Sequence, residues 1–246
     1  MIATTIKQKV AQFKQNIFTK LHHRTLLEYT GQPVVSDDEI MYLLLPFLNG
    51  EKSNDSTLLA AEAIAMNMAA LNTHDLIEEH DATSKSQQLT VLAGDLYSGM
   101  YYATLAQVGD VLLIRSITEA VATISEEKTK FYETSHVQLQ DALHALEVIE
   151  TESIQKFFEH FAFEQYSVFA RYGLLIQRLA KELDSCKTDE QTRFISAFNE
   201  DGLEAKLRNE LQTLATTYEK VVSTSPLLHD DVKNCIVSRI QTHVNN

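Results

Sequence analysis

The chain predicts an all-α fold, on three observations. Glycine and proline, which punctuate turns, number only 7 and 3 in 246 residues, too few for a fold of short strands and tight loops. Strong helix formers, Leu, Ala, Glu, Gln and Lys, supply much of the remainder. Apolar residues recur at three- and four-residue spacing over long stretches, the period of a helix with one buried face.

The elements follow in order. Ile6, Val10, Phe13, Ile17, Leu21 and Leu27 place a helix over 4–29, which Gly31-Gln32-Pro33 ends. Ser36 with Glu39 three residues on is a capping-box pattern and opens a helix through Leu48. The polar run 49–55 is a loop. Residues 57–80 form a long helix, almost wholly apolar from Leu58 to Leu71, and so central and buried. A loop over 82–86 precedes a helix over 89–107. Gly109-Asp110 breaks the chain before a helix over 111–134. Further helices are predicted over 137–170, 172–183 and 191–222, and Pro226 precedes a last one over 230–243. No repeat, low-complexity tract or composition shift marks a second unit, so residues 1–246 read as a single helical domain.

Composition limits the function. The formal charge is −13, from 34 acidic and 21 basic residues, a field that repels phosphate backbones and argues against a nucleic-acid partner. Cys186 and Cys235 lie far apart without metal-ligand spacing and read as reduced thiols in a cytoplasmic setting. The start of the chain has no apolar core of signal-peptide length. The longest apolar runs fall short of the ~20 residues that span a bilayer, so no transmembrane segment is expected.

The segment Leu71 to Asp95, LNTHDLIEEHDATSKSQQLTVLAGD, carries the chemistry. Carboxylates at i and i+4 on one helix face can share a divalent cation, and Asp75 and Glu79 keep that relation. Leu76 between them cannot bind a metal. The segment ends in Val91-Leu92-Ala93-Gly94-Asp95, which resembles the VLAGD signature of trans-prenyltransferases, and it starts where that family carries HDDxxD. The resemblance implies an isoprenoid-synthase-like helical bundle. It also implies a metal site taken apart. Leu76 replaces the second aspartate, no Arg-Arg-Gly stands between Asp81 and Gln88, and Glu152-Ser153 stands where the family has Lys-Thr. Asp184 alone remains near the second aspartate-rich motif.

Together with Ala93-Gly94-Asp95-Leu96-Tyr97-Ser98-Gly99-Met100-Tyr101-Tyr102, then Gly109-Asp110 and Glu126-Glu127-Lys128, this pattern resembles the component 1 family of two-component heptaprenyl diphosphate synthases. The resemblance implies a chain without catalytic or metal-binding residues of its own, Asp75 and Glu79 being vestigial. It implies a heterodimer with a catalytic component 2 that makes heptaprenyl diphosphate for menaquinone from isopentenyl and farnesyl diphosphates. Magnesium and the isoprenoid diphosphates would be bound mainly by that partner. Family members dimerise through the helix pair over 89–107 and 111–134, so Tyr97, Met100, Tyr101 and Tyr102 become candidates for the partner interface and for setting chain length. These four occupy more than one side of a helix; one side is expected in the core, the other against the partner.

Simpler readings stand beside these. His74, Glu78, Glu79, His80 and Asp81 form a solvated helix end more readily than a transition-metal site, because no HExxH spacing exists. Leu227-Leu228-His229-Asp230-Asp231-Val232 imitates an intact motif but lacks the third carboxylate at Asn234. Ser225, Asp230 and Asp231 then serve the N-terminus of the last helix. Gly94 and Gly99 permit close helix packing. An independently active prenyltransferase using Asp75 and Glu79, and a helical adaptor without an isoprenoid role, are the two alternatives.

Overall fold

A computed structural model of the chain describes residues 2–77, 83–133, 138–188, 192–198 and 202–245. These form α1 (Ile2–Lys20), α2 (Arg24–Thr30), α3 (Asp37–Leu43), α4 (Leu45–Leu48), α5 (Asp55–His74), α6 (Lys85–Val108), α7 (Val111–Glu133), α8 (Leu139–His160), α9 (Ser167–Lys187), α10 (Arg193–Ser196), α11 (Leu203–Thr224) and α12 (Asp230–Asn245). A 3₁₀ turn, Glu164–Tyr166, precedes α9. No strand occurs among the described residues. The fold is all-α, as the composition and periodicity require.

α5 is a hub. From Ala60 to Ala70 every residue but Glu62 is buried, and α1, α3, α6 and α8 surround it. Burial on all sides explains why this helix shows no polar stripe. α9 is the second hub, touched by α3, α8, α11 and α12. One buried cluster runs from Ile6 of α1 to Ile240 of α12. α3 and α12 are further joined by Asp38, which accepts hydrogen bonds from Arg239 and, at 2.7 Å, from His243 Nε2. No described helix is long and apolar enough to cross a membrane.

Five predicted helices are broken or shortened. The one over 57–80 already ends at His74, which leaves Asp75 as its cap rather than on a helical face. The other four change for local reasons. The helix over 4–29 is two, because His23 adopts an extended conformation and its ring Nδ1 caps Leu26 N at 3.3 Å. Histidine is not among the usual capping residues, so the apolar spacing runs through the break unmarked. Pro46 has no N–H for the carbonyl of Tyr42, and the helix after Ser36 divides into α3 and α4. The capping box itself forms: Ser36 Oγ accepts from Glu39 N at 3.0 Å, and Ser36 N donates to Glu39 at 2.5 Å.

The third case is the break expected near residue 171, which lies instead at Phe161–Tyr166. There Ala162 takes φ +58°, which places Phe161 and Phe163 against Phe157 at ring distances of 5.0 and 6.4 Å. Gly173 sits within α9 because a Cβ there would lie 2.0 Å from the Tyr42 ring. The helix over 191–222 also divides, into α10 and α11, with Gly202 at φ +83° before the second.

Candidate functional site

The end of α5 holds the residues that the sequence singles out. Asp75 is the C-cap of α5, and its carboxylate accepts from Lys128 Nζ of α7 at 2.7 Å. The same ammonium donates to the carbonyl of Leu71 at 3.4 Å. Arg193 of α10 donates to the carbonyl of Ile77 at 3.1 Å, while its guanidinium lies 4.2 Å over the Tyr132 ring. Gln87 of α6 donates to the carbonyl of Leu76 at 3.5 Å. The C-terminal end of a helix carries unpaired carbonyls and a partial negative charge, and cationic side chains satisfy both. Here two cations from later elements do so.

Leu76, at the position of the missing aspartate, is 45% exposed and offers no ligand. Glu79, with Glu78, His80 and Asp81, lies outside the described residues. Among the described residues no three His, Cys, Asp or Glu side chains could share a metal ion. Magnesium takes an octahedron of oxygen ligands. Asp75, already held by an ammonium, does not by itself supply that octahedron.

Deeper between the helices, other charges are met within the chain. Arg178 of α9 bridges Glu150 of α8 and Glu182 of α9, both at 2.7 Å. Burial works against the charged guanidinium, but the two carboxylates outweigh it and raise its pKa. Glu182 also accepts from Thr192 Oγ1 at 2.5 Å. Glu39 accepts from Asn72 Nδ2 at 2.8 Å, and burial, then the charge of Glu150, push its carboxyl above the usual range. Glu152 has its own counter-ion in Lys156 at 3.6 Å, and buried Ser153 accepts from Asn67 Nδ2 at 2.9 Å. Asp184 pairs with Lys187 at 2.9 Å on the surface.

The two glycines of α6 separate cleanly. At Gly94 a Cβ would come within 2.5 Å of the His74 ring. The glycine of the VLAGD run therefore admits the last residue of α5, a packing role within the chain. His74 Nε2 stands 3.8 Å from Asp95 Oδ1. At Gly99 nothing lies within 4 Å of the same added atom.

The four aromatic and methionine candidates divide by side. Tyr97 and Tyr101, one turn apart, are 1% and 3% exposed and belong to the core, where burial raises both phenol pKa values. Met100 is half-buried. Tyr102 is exposed, its ring 4.2 Å from that of Tyr101. Leu92 of the same helix is 55% exposed, and beyond the turn Val111 and Leu112 are each 68% exposed. That turn is held by Asp110, which accepts from Leu112 N at 2.9 Å and Leu113 N at 3.1 Å, and lies 3.0 Å from His160 Nε2 of α8. The bond from Leu113 N leads the causes that lower the Asp110 pKa. α6 packs mainly on α5, α7 mainly on α8, and the two meet little beyond their turn.

The motif imitation at the end of the chain is structural. Asp230 and Asp231 occupy the first turn of α12. Ser225 instead caps α11 and accepts from Leu227 N at 3.2 Å, one helix earlier than expected. Lys128 enters the sequence pattern only within Glu126-Glu127-Lys128 and with no role, and Arg178 and Arg193 are not singled out by pattern. Arg178 has a spacing signal, i, i+4 to Glu182; no spacing joins Lys128 or Arg193 to the end of α5.

Comparisons with known proteins identify the family and the fold. The sequence model of heptaprenyl diphosphate synthase (HEPPP synthase) subunit 1 matches residues 23–225. Over 123 residues the chain is 38% identical to heptaprenyl diphosphate synthase component 1 of Geobacillus stearothermophilus. That match spans 50% of this chain and 56% of the relative, little more than half of its length. In fold the chain is similar to heptaprenyl diphosphate synthase from Staphylococcus aureus, with a TM-score of 0.73 at 11% identity over 98% of both chains. It is also similar to geranylgeranyl pyrophosphate synthase from Lactobacillus brevis, with a TM-score of 0.70 at 10% identity over 99% and 97% of the two chains. A decaprenyl diphosphate synthase from Rhodobacter capsulatus gives 0.68 at 12% identity over 99% of each chain. The architecture is that of isoprenoid synthases.

Proposed function

We propose, because the chain belongs to the heptaprenyl diphosphate synthase subunit 1 family, that it is the non-catalytic subunit of a two-component prenyl-chain synthase. The observation that carries this reading is the pairing of Asp75 with Lys128 at 2.7 Å beside Leu76. A prenyl transfer needs divalent cations to neutralise the departing diphosphate. At the end of α5 the chain's own ammonium holds the carboxylate that would bind one. Glu152 at the position of a diphosphate-binding lysine would repel the substrate rather than hold it.

In this reading the partner is a catalytic component 2 with intact aspartate-rich motifs. It binds magnesium and both isoprenoid diphosphates, and it elongates farnesyl diphosphate with isopentenyl diphosphate to heptaprenyl diphosphate for the menaquinone side chain. The pair works in the cytoplasm as a heterodimer. This chain contributes the outer side of α6 and the tip of α7, where Tyr102, Leu92, Val111 and Leu112 are exposed. Aromatic and large apolar side chains of this kind are enriched at interface cores. Met100 borders the partner's elongation tunnel, and Tyr97 and Tyr101 support that wall from behind.

The test is an assay of the purified chain with isopentenyl and farnesyl diphosphates and magnesium, alone and with component 2. Product formed only in the mixture is the expected outcome. Product from the chain alone identifies an independent prenyltransferase, and no effect of the chain on its partner identifies an unrelated adaptor; either sinks the proposal.

A further inference from the structure

We propose that α1, with the corner over 21–24 that joins it to α2, holds the chain on a bilayer surface rich in anionic lipid headgroups. The proposal goes beyond the two-component reading and concerns a different surface of the molecule.

The charge of −13 is not spread evenly. Residues 1–27 hold Lys7, Lys9, Lys14, Lys20 and Arg24 and no Asp or Glu, where an even spread of the 34 acids would place about four. The remaining 16 of the 21 cations face all 34 acids in the rest of the chain. α12 packs on α1 and carries no acid after Asp231. The acids that reach this region are already matched. Asp37 pairs with Lys14 at 2.7 Å, Glu62 pairs with Lys20 at 2.5 Å, and Asp38 is held by Arg239 and His243. Lys7, Lys9 and Arg24 are exposed and have no ion pair with a described carboxylate.

The helix sets these charges around one edge. At 100° per residue Lys7 and Lys14 stand on one flank of the outward edge of α1 and Lys9 and Lys20 on the other, with Gln8, Gln12, Gln15 and Thr19 between. Ile6, Val10, Ile17 and Leu21 bury the opposite side. Long lysine stems carry their ammonium groups forward past the neutral edge.

The chemistry of this edge decides between a lipid surface and another protein. Protein interface cores are enriched in aromatic residues, Met and Arg, and depleted in Lys. Among its described side chains α1 exposes no large apolar group, so it has nothing to fill a partner's pocket. A plane of headgroups needs no pocket. It meets every cation within a Debye length, about 8 Å at physiological ionic strength. The same screening mutes the acids on the far side of the molecule. α1 and α6 each pack on α5 and not closely on each other, so the lysine edge and the outer side of α6 are separate surfaces.

The experiment measures co-sedimentation of the full chain with vesicles of phosphatidylcholine, alone or with about one-third phosphatidylglycerol. At low salt the chain should bind the mixed vesicles and not the neutral ones, and physiological salt should weaken that binding. A cation near the surface contributes about fivefold in affinity. Lys7→Gln with Lys9→Gln and Arg24→Gln should therefore weaken binding by at least about tenfold, with the melting temperature unchanged because all three side chains are exposed. Gln12→Lys, on the neutral edge, should strengthen it about fivefold and covers any folding defect of the triple variant. Lys52→Gln with Arg115→Gln removes exposed cations elsewhere and should bind as the wild type does.

No binding of the wild-type chain to mixed vesicles at low salt would overturn the proposal. Equal binding to neutral vesicles would make apolar contact the cause and overturn it too. Undiminished binding by the triple variant would place the lipid contact on another surface. If the triple variant instead lost a protein partner, with vesicles ignored by the wild type, the edge would be a protein interface and the proposal would fail. None of these results touches the two-component reading, which turnover alone and in the mixture decides.

Discussion

The inner and outer sides of α6 treat the same residue type in opposite ways. Inside, Gly94 makes room for the His74 ring, and Tyr97 and Tyr101 fill the core. Outside, Gly99 makes room for no described neighbour beyond its own helix, and Leu92 and Tyr102 are exposed. The end of α5 belongs with the inner side, since Asp75 and the carbonyls of Leu71 and Ile77 have donors from α7 and α10. What the chain satisfies by itself has become structure. What it leaves unsatisfied points outward, and there the function is to be sought.

The comparison can be broken from the inside first. Arg178→Met would leave Glu150 and Glu182 facing each other without their cation, at a cost of about 3 kcal/mol, at the low end for losing one partner of a buried pair. Chemical denaturation should show it, and adding Glu150→Gln with Glu182→Gln should recover part of it. An unchanged midpoint in the single variant would mean that these charges are solvated rather than internally paired.

Gly94→Ala comes next. The methyl group must displace the His74 ring, and overpacking of this kind costs about 1–3 kcal/mol. A thermal melt reads the loss, and trimming His74 to alanine in the same chain should relieve it. The outer glycine has the opposite sign. Gly99→Ala should stabilise the free chain by about 0.5–1 kcal/mol, so the two alanine variants should move the melting temperature in opposite directions. A fall in both would erase the distinction between the sides.

The smallest effect belongs to Lys128→Ala. Asp75 is partly exposed, and such pairs contribute about 0.2–1 kcal/mol. The variant should therefore remain folded by circular dichroism. It should also gain no magnesium-dependent turnover, because Leu76 still supplies no ligand. Turnover by this variant alone would show that Lys128 was suppressing a working site.

Much of this arrangement was readable in the sequence, and the exceptions share a cause. The capping box at Ser36 and the turn at Gly109-Asp110 are local patterns and appear where expected, and the buried run expected over Leu58–Leu71 is found over Ala60–Ala70, with Leu58 exposed. Breaks at His23, Pro46 and Ala162 depend on one residue's backbone and leave the apolar period intact, so periodicity ran across them. At the site, the loss of ligand at Leu76 was visible because ligands are read residue by residue. The ammonium of Lys128 is 53 positions from Asp75, and nothing in spacing joins them. The side chains of Tyr97 and Tyr102 are both aromatic, five residues apart; only packing shows that one is core and the other is not. The different fates of Gly94 and Gly99 needed the neighbours of each, which sequence does not list.

The pairing of Asp75 with Lys128 also changes what the solvent can do to the end of α5. A free cation is held by mass action, and dilution or a chelator takes it away. A cation on the same chain is tethered, with an effective concentration set by the fold rather than by the buffer. The cap on α5 therefore stays in place whether magnesium is scarce or abundant, and EDTA should leave it untouched. This chain can hold its shape through swings in the very ion on which prenyl transfer depends.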